Sequence, residues 1–190
     1  MLADRGAISF DEPVSTYWPE FAANGKSKVL LSHVMSHQTG CSGFPRPVTA
    51  SELYDHALMA DLLAGMKPWW EPGTGPGYHA ITQGTMQAEV LRRVDGRSLG
   101  TFFREEIAEP LGADFHIGLS ASEGHRVADL KQPGSTLSGS MGVASDSIAG
   151  RTFDSCMLDG SEPLTQEWRA AEIPAAGGMG NARSVARVHS

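Results

Sequence analysis

The sequence predicts an α+β fold to which this chain contributes mostly helices. Three segments, 50–66, 79–94 and 98–109, have the apolar spacing of helices and are bounded by recognisable caps. Strand signals are few, and the clearest is the alternating segment 114–119. The stretch 133–150 is rich in Ser and Gly and has no periodicity, so we expect a long surface excursion there, of a kind that can cover a cleft.

The helix predicted over 50–66 begins at a capping box. Thr49 and Glu52 stand three positions apart, so that each side chain can accept the backbone N–H of the other. Apolar residues then recur at every fourth position, namely Leu58, Leu62 and Met66. Pro68 is expected to stop the helix.

The helix predicted over 79–94 has a similar stripe and ends at Gly96, which suits a C-cap. The stripe is formed by Met86, Val90 and Val94. This placement puts Tyr78 at the N-terminal end of the helix. The helix predicted over 98–109 follows at once, with Leu99, Phe103 and Ile107 along one face up to Pro110.

The segment 96–100 reads G-R-S-L-G and matches G-x-S-x-G, the nucleophile motif of α/β-hydrolases. In that motif a buried strand precedes the serine, whereas Ser98 follows an amphipathic helix and opens another. The sequence therefore predicts that Ser98 is a helix N-cap and not a nucleophile.

Shorter elements are expected elsewhere along the chain. A strand-like piece is expected at 7–14, broken by Pro13, and a short buried helix at 29–37, ended by Gly40, has His33 and His37 on one face. The other expected elements are a short helix at 165–171, a Gly-rich turn at 173–181 and a helix at 182–190. The metalloprotease zinc pattern needs Glu after the first His, and Val34 stands there, so we expect structural histidines and no metal site.

Composition excludes several classes of function. The chain has 15 Lys and Arg against 22 Asp and Glu, a net charge of −7, and no basic cluster that could follow a nucleic acid. No segment is apolar over the length of a membrane span, and no cofactor motif is found. Cys41 and Cys156 are expected to be free, buried thiols. The N-terminus lacks the pattern of a signal peptide, so a cytoplasmic location is expected.

Unusual residues are concentrated in the segment Trp69–His79, which we call the tyrosine loop. Its sequence, WWEPGTGPGYH, contains two Trp, two Pro and three Gly. Proline restricts φ and glycine permits positive φ, so this composition predicts a rigid, turned loop that presents Tyr78. The hydroxyl of Tyr78 either takes part in chemistry or is satisfied by packing, and composition alone leaves both readings open.

Five segments occur in an order that is typical of one family. They are 1–21, which contains R-G-A-I-S-F-D-E-P-V, 34–40 (V-M-S-H-Q-T-G), 72–78 (P-G-T-G-P-G-Y), 96–99 (G-R-S-L) and 109–112 (E-P-L-G). Together they resemble the serine β-lactamase and penicillin-binding-protein superfamily, specifically its class C-like, or family VIII, carboxylesterases. The resemblance implies a β-lactamase/DD-peptidase-like fold, with this chain forming mostly its helical domain.

The resemblance also implies acyl transfer to an ester or β-lactam carbonyl. In the family, the serine of Ser-x-x-Lys is the nucleophile, and its lysine shares proton transfers with the tyrosine of Tyr-x-Asn. Tyr78 matches that tyrosine and is the catalytic residue that the resemblance assigns here. Ala80 replaces the Asn of the motif, which favours ester over β-lactam substrates.

Ser-x-x-Lys does not occur in these 190 residues, because Ala or Gly stands three positions before every lysine: Lys26, Lys28, Lys67 and Lys131. The late Lys-Thr-Gly or His-x-Gly motif is missing as well. Residues 1–190 are therefore expected to be a partial domain, truncated at both ends and inactive alone. Two functions are open: a serine ester hydrolase acting on a small-molecule ester, or a non-catalytic binding module of the same fold.

Overall fold

The computed structural model of the chain describes residues 1–130, 142–158 and 160–190. Helices make up 48% of it and strands 6%, so the predicted mostly helical architecture is confirmed. The α-helices are α1 (Val14–Tyr17), α2 (Leu31–Met35), α3 (Ala50–Leu53), α4 (His56–Gly65), α5 (Thr82–Asp95), α6 (Leu99–Phe103), α7 (Glu109–Leu111), α8 (Ile148–Asp154), α9 (Gln166–Ala170) and α10 (Ala182–Val188). Short 3-10 helices span Pro19–Gly25, Ala121–Arg126 and Glu162–Leu164.

Within the described ranges the strands form two separate pairs. Strand β1 (Val48–Thr49) runs parallel to β3 (Cys156–Met157). Strand β2 (Phe115–Ile117) runs antiparallel to β4 (Gly178–Gly180), with Phe115 opposite Gly180. The strand predicted at 114–119 is therefore present but shorter. The Gly-rich segment at 173–181 is more than the expected turn, because its last residues supply the partner of β2.

The strand-like piece expected at 7–14 does not form a strand. A single antiparallel bridge joins Pro13 to Leu30, and α1 begins at the next residue, Val14. Proline has no N–H to extend a ladder, which explains why the pairing stops there. Before it, residues 1–6 form turns. The N–H of Ala7 bonds to Leu2 O at 2.9 Å, a hydrogen bond of the kind that closes a helix C-terminus.

The prediction of one helix over 50–66 was wrong, because the chain breaks at Asp55. The Thr49–Glu52 capping box forms as predicted, but it starts only the single turn of α3. Asp55 is extended and its side chain accepts the N–H of Leu58 at 3.0 Å, which starts α4 as a new helix. Leu58 and Leu62 are only half-buried, and the buried face of α4 is Met59, Ala60, Leu63 and Ala64.

Helix α5 begins at Thr82, three residues later than predicted, so that Tyr78 precedes the helix and does not cap it. Its C-terminus is as predicted: Gly96 has φ of +91°, and its N–H bonds to Arg92 O. Met86 and Val90 are buried in the core, while Val94 is half-buried.

The helix predicted over 98–109 forms and continues to Leu111. The side chain of Ser98 accepts the N–H of Thr101, which confirms the predicted N-cap. A π-helical turn, Arg104–Ala108, lies between α6 and α7. It comes directly before Pro110, a residue that cannot donate the regular helical hydrogen bond.

The predicted helix at 165–171 is α9, which Thr165 caps, and the one at 182–190 is α10, which Asn181 caps. Half of the predicted surface excursion at 133–150, residues 133–141, lies outside the described residues. Its described part leads through turns into α8, which the side chain of Ser147 caps. Among the described residues, no helix combines the length and apolar character that crossing a membrane requires.

A single apolar core underlies these elements. It is built mainly by α1, α2, α4, α5 and the 3-10 helix Pro19–Gly25. The largest side chains with almost no exposure include Trp18, Phe21, Phe44, Met59 and Met86. Between α4 and α5 the chain leaves this core and forms the tyrosine loop, whose two ends are therefore fixed by packed helices.

Candidate active site

The tyrosine loop is attached along its length to the segment 37–41, which follows α2. Trp69 N donates to Gly40 O at 2.7 Å, Gly73 N to Gln38 O at 2.9 Å and Gly77 N to His37 O at 2.9 Å. The loop also bonds to itself, because Trp70 Nε1 donates to Gly75 O at 3.0 Å. These bonds make the loop the rigid structure that its composition predicts.

Gly77 is required because the ring of Trp70 lies directly over it. A Cβ atom at position 77 would stand 2.6 Å from Cη2 of Trp70, a distance at which one of the two groups must move. The absence of a side chain at Gly77 thus lets the indole cover the backbone just before Tyr78.

On the other side of Tyr78, His79 is buried with 1% of its surface exposed. Its Nδ1 bonds to the carbonyl of Gly77, and its Nε2 lies 2.7 Å from Thr39 Oγ1. A carbonyl can only accept, so Nδ1 carries the proton and Nε2 accepts from the Thr39 hydroxyl. Burial lowers the pKa of His79 to about 4, outweighing the Gly77 carbonyl, so the ring is neutral at pH 7.

His37 contacts the loop from the side of α2. Its Nδ1 accepts the backbone N–H of His79 at 3.1 Å, and its ring centroid lies 5.2 Å from that of Tyr78. The residue has φ of +59°, the left-handed region that non-glycine residues seldom adopt. Burial lowers the pKa of His37.

The prediction that His33 and His37 share a helical face was wrong, because α2 ends at Met35. His33 instead accepts the N–H of Leu30 through Nδ1 at the start of α2. Both histidines therefore have structural contacts, as expected. In the part of the chain that the structure describes, no three His, Cys, Asp or Glu side chains are grouped as metal ligands.

Tyr78 itself is 64% exposed at the rim of a cleft of about 370 Å³. The cleft, which we call the apolar cleft, lies between the tyrosine loop and α8. It is lined by Trp70, Gly75, Pro76, Gly77, Tyr78, Ile148, Ala149, Thr152 and Phe153. Its size falls within the range of small-molecule sites. Phenol, indole and aliphatic groups can hold the apolar part of an organic substrate, and the phenol can exchange a proton.

None of these lining residues is charged. Of the described lysines, Lys26 is buried elsewhere, with its Nζ bonded to the carbonyls of Ala23, Ala64 and Met66. Cys41 and Cys156 are free thiols, of which Cys41 is buried and Cys156 partly so. Burial raises the pKa of Cys41 to about 11 and of Cys156 to about 12, so neither is a thiolate at neutral pH.

Sequence reasoning missed the roles of Thr39, His37 and His79 around the tyrosine. It assigned His37 to a helix and His79 to the start of another. One available signal was that each histidine lies within three residues of a glycine, Gly40 or Gly77, where a helical pattern is not continued.

The whole chain, residues 1–190, matches the protein-family model described as Beta-lactamase. The chain belongs to the beta-lactamase family. Among curated proteins of this family, it is 35% identical over 201 residues to "Esterase/beta-lactamase LipL" of Mycobacterium tuberculosis, a match that covers 99% of this chain and 46% of that protein.

Solved structures of the family agree with the architecture described above. A family VIII carboxylesterase is 40% identical with a TM-score of 0.88, over 99% of this chain and 49% of that one. A penicillin-binding-protein homologue from Caulobacter crescentus is 38% identical with a TM-score of 0.80, over 98% of this chain and 49% of that one. The predicted resemblance and fold are therefore confirmed. The chain spans about half the length of the relatives it matches.

Proposed function

We propose that these residues are part of a serine ester hydrolase that works through an acyl-enzyme, and that Tyr78 relays protons in it. One observation carries the proposal. The phenol of Tyr78 is exposed at the rim of the apolar cleft, while the residues on both sides of it, Gly77 and His79, are held by hydrogen bonds. Exposure with a fixed backbone suits a group that must meet a substrate in one orientation.

The relatives support an ester as the substrate class. Two of them are named as an esterase/beta-lactamase and a carboxylesterase. At Ala80 this chain has a methyl group where the Tyr-x-Asn motif has an amide, so a hydrogen-bonding group for β-lactams is missing. The apolar lining of the cleft fits the acyl or alkyl part of an ester.

In the proposed reaction, the serine oxygen attacks the ester carbonyl while Tyr78 Oη accepts the proton of the serine hydroxyl. The same proton then passes to the departing alkoxide, which leaves as the alcohol. In the second half, water loses a proton to Oη as it adds to the acyl carbonyl. The same proton then passes to the serine oxygen as the acyl–oxygen bond breaks, which releases the acid and restores the serine. An unperturbed phenol titrates near ~10, so the relay needs a cation beside it, and the lysine of Ser-x-x-Lys is the candidate.

Because Ser-x-x-Lys is absent from these 190 residues, we propose that they do not hydrolyse esters alone. The same observation favours a second candidate function, a binding module that retains the cleft wall without the nucleophile. The two differ in one respect that can be measured: whether the protein encoded by the longest reading frame containing these residues turns over esters.

The experiment measures hydrolysis of p-nitrophenyl acetate and butyrate by three proteins. They are the 190-residue chain, the product of the longest reading frame, and its Tyr78→Phe variant. Phe keeps the ring and removes the proton, so kcat should fall by roughly 10²–10⁴ with a smaller change in KM. Tyr54→Phe is the matched control, since Tyr54 is half-buried and does not line the apolar cleft.

Full activity of the Phe variant, or robust turnover by the 190-residue chain, would overturn the role of Tyr78. A long product that binds a butyrate ester without hydrolysing it would favour the binding module.

A further inference from the structure

His37 contacts both neighbours of Tyr78. Its carbonyl accepts the N–H of Gly77 at 2.9 Å, and its Nδ1 accepts the N–H of His79 at 3.1 Å. The two residues that flank the tyrosine are thus fixed by a single residue that lies about forty positions earlier in the chain. The imidazole also packs against the phenol, with ring centroids 5.2 Å apart.

We propose that His37 is the positioning residue that sets the orientation of Tyr78 at the rim of the apolar cleft. The inference rests on the proposed function in one respect only, namely that a misplaced Tyr78 slows ester hydrolysis. The positive φ of His37, +59°, supports it, because a strained backbone is kept where surrounding contacts require it. That conformation is what directs both the carbonyl and the side chain of His37 toward the loop.

The bond to His79 N–H exists only while Nδ1 of His37 is unprotonated. Protonation would turn Nδ1 into a donor facing another donor, and the bond would be lost. The titratable groups that face the His37 ring are Tyr78 and His79, and the nearby α5 contributes the neutral amide of Gln83, which bonds to Val34 O. A charge on His37 would also be disfavoured by burial, which lowers its pKa.

Two substitutions separate the side chain of His37 from its backbone. His37→Gly keeps the positive φ without strain but removes the acceptor. His37→Asn also tolerates positive φ, and its Oδ1 can accept the same N–H, yet it does not titrate. If His37 positions Tyr78, the Asn variant should behave like the wild type and the Gly variant should not.

The first measurement is amide hydrogen exchange in the 190-residue chain, at neutral pH and at about pH 5, with protection factors compared. At neutral pH the amide of His79, which bonds to the side chain of His37, should lose protection in the Gly variant and keep it in the Asn variant. On acidification the wild type should lose protection at this amide and the Asn variant should keep it. Since His79 is retained in both, its own titration cannot produce that difference.

The second measurement is ester hydrolysis by the product of the longest reading frame. Displacing a catalytic group by about 1 Å can lower the rate on the order of 10²-fold. In the Gly variant kcat should therefore fall by up to that factor, with little change in KM. In the Asn variant kcat should recover. A residue that served stability alone would lower the melting temperature without this split between kcat and KM.

Unchanged exchange at His79 in the Gly variant would overturn the positioning role of His37, as would an Asn variant no better than Gly. If exchange behaves as expected but Tyr78→Phe keeps full activity, His37 still orients the loop and it is the proton relay that is wrong.

Discussion

Ser98 and Glu172 lie 74 residues apart in the chain, and the hydroxyl of Ser98 donates a 2.8 Å hydrogen bond to Oε1 of Glu172. Oγ of Ser98 accepts the N–H of Thr101 at 3.2 Å, while Oε2 of Glu172 accepts the N–H of Gly100 at 2.8 Å. The start of α6 is therefore capped by two side chains. The Ser98 hydroxyl thus donates one hydrogen bond and accepts another, and both stabilise the start of α6.

Ser98→Ala should lower the free energy of unfolding by about 1 kcal/mol, because the helix loses its N-cap. Activity of the longest product should not change. Urea denaturation measures the first and ester hydrolysis the second, with Ser120→Ala as control, since Ser120 is exposed and makes no side-chain cap bond. Labelling of Ser98 by a fluorophosphonate probe would contradict the structural role.

Glu89 should stabilise the fold through its buried ion pairs. Its side chain is 3% exposed and accepts bonds from Arg92, Arg93 and His56. Glu89→Gln removes the negative charge that these partners face. The free energy of unfolding should fall by about 3 kcal/mol at pH 7. Glu20→Gln is the control, because Glu20 pairs with the same Arg93 but is 63% exposed, so that its loss should be under about 1 kcal/mol.

The contribution of Glu89 should depend on pH. Burial raises the pKa of this carboxyl, but the bonds from Arg92, Arg93 and His56 outweigh it and lower the pKa from 4.5 to about 2. A lowered pKa means that the stabilisation is complete above pH 4.5 and is lost as the pH falls through 2. The difference in unfolding free energy between wild type and Glu89→Gln should therefore shrink over this interval. A constant difference down to pH 2 would contradict the ion-pair account.

Lys26 should stabilise the C-terminal end of α4. It has no exposed surface, and its Nζ bonds to Ala64 O at 3.0 Å and to the carbonyls of Ala23 and Met66. Lys26→Met keeps the length of the side chain but leaves buried carbonyls unpaired, at a cost of about 3 kcal/mol. Thermal or urea unfolding measures it. Lys28→Met, at an exposed position two residues later, should change stability by less than about 0.5 kcal/mol.

The apolar cleft should decide which esters fit. Ala149 lines it from the exposed side of α8, so Ala149→Phe can fill the cleft without disturbing the core. We expect KM for p-nitrophenyl butyrate to rise by roughly 10-fold, with a smaller effect on the acetate. Kinetics of the longest product with both esters measure this. Equal effects on both would mean that the acyl chain binds elsewhere.

Much of the local structure followed from the sequence because it depends on neighbours along the chain. Thr49 and Ser98 cap helices where a polar residue precedes an apolar repeat, and Gly96 ends α5 where positive φ is needed. The turned conformation of the loop that carries Tyr78 could be read in the same way, since proline restricts φ and glycine permits positive φ whatever surrounds them.

Only the tertiary structure decided which distant residues meet. The pairing of Phe115–Ile117 with Gly178–Gly180, the burial of Glu89 between two arginines and a histidine, and the contacts of His37 with both neighbours of Tyr78 all join segments far apart in sequence. No local pattern encodes such pairs, because the packing of elements that lie far apart in the sequence places both partners. The apolar cleft also joins distant segments, since the tyrosine loop and α8 form it although residues 80–147 separate them in the chain.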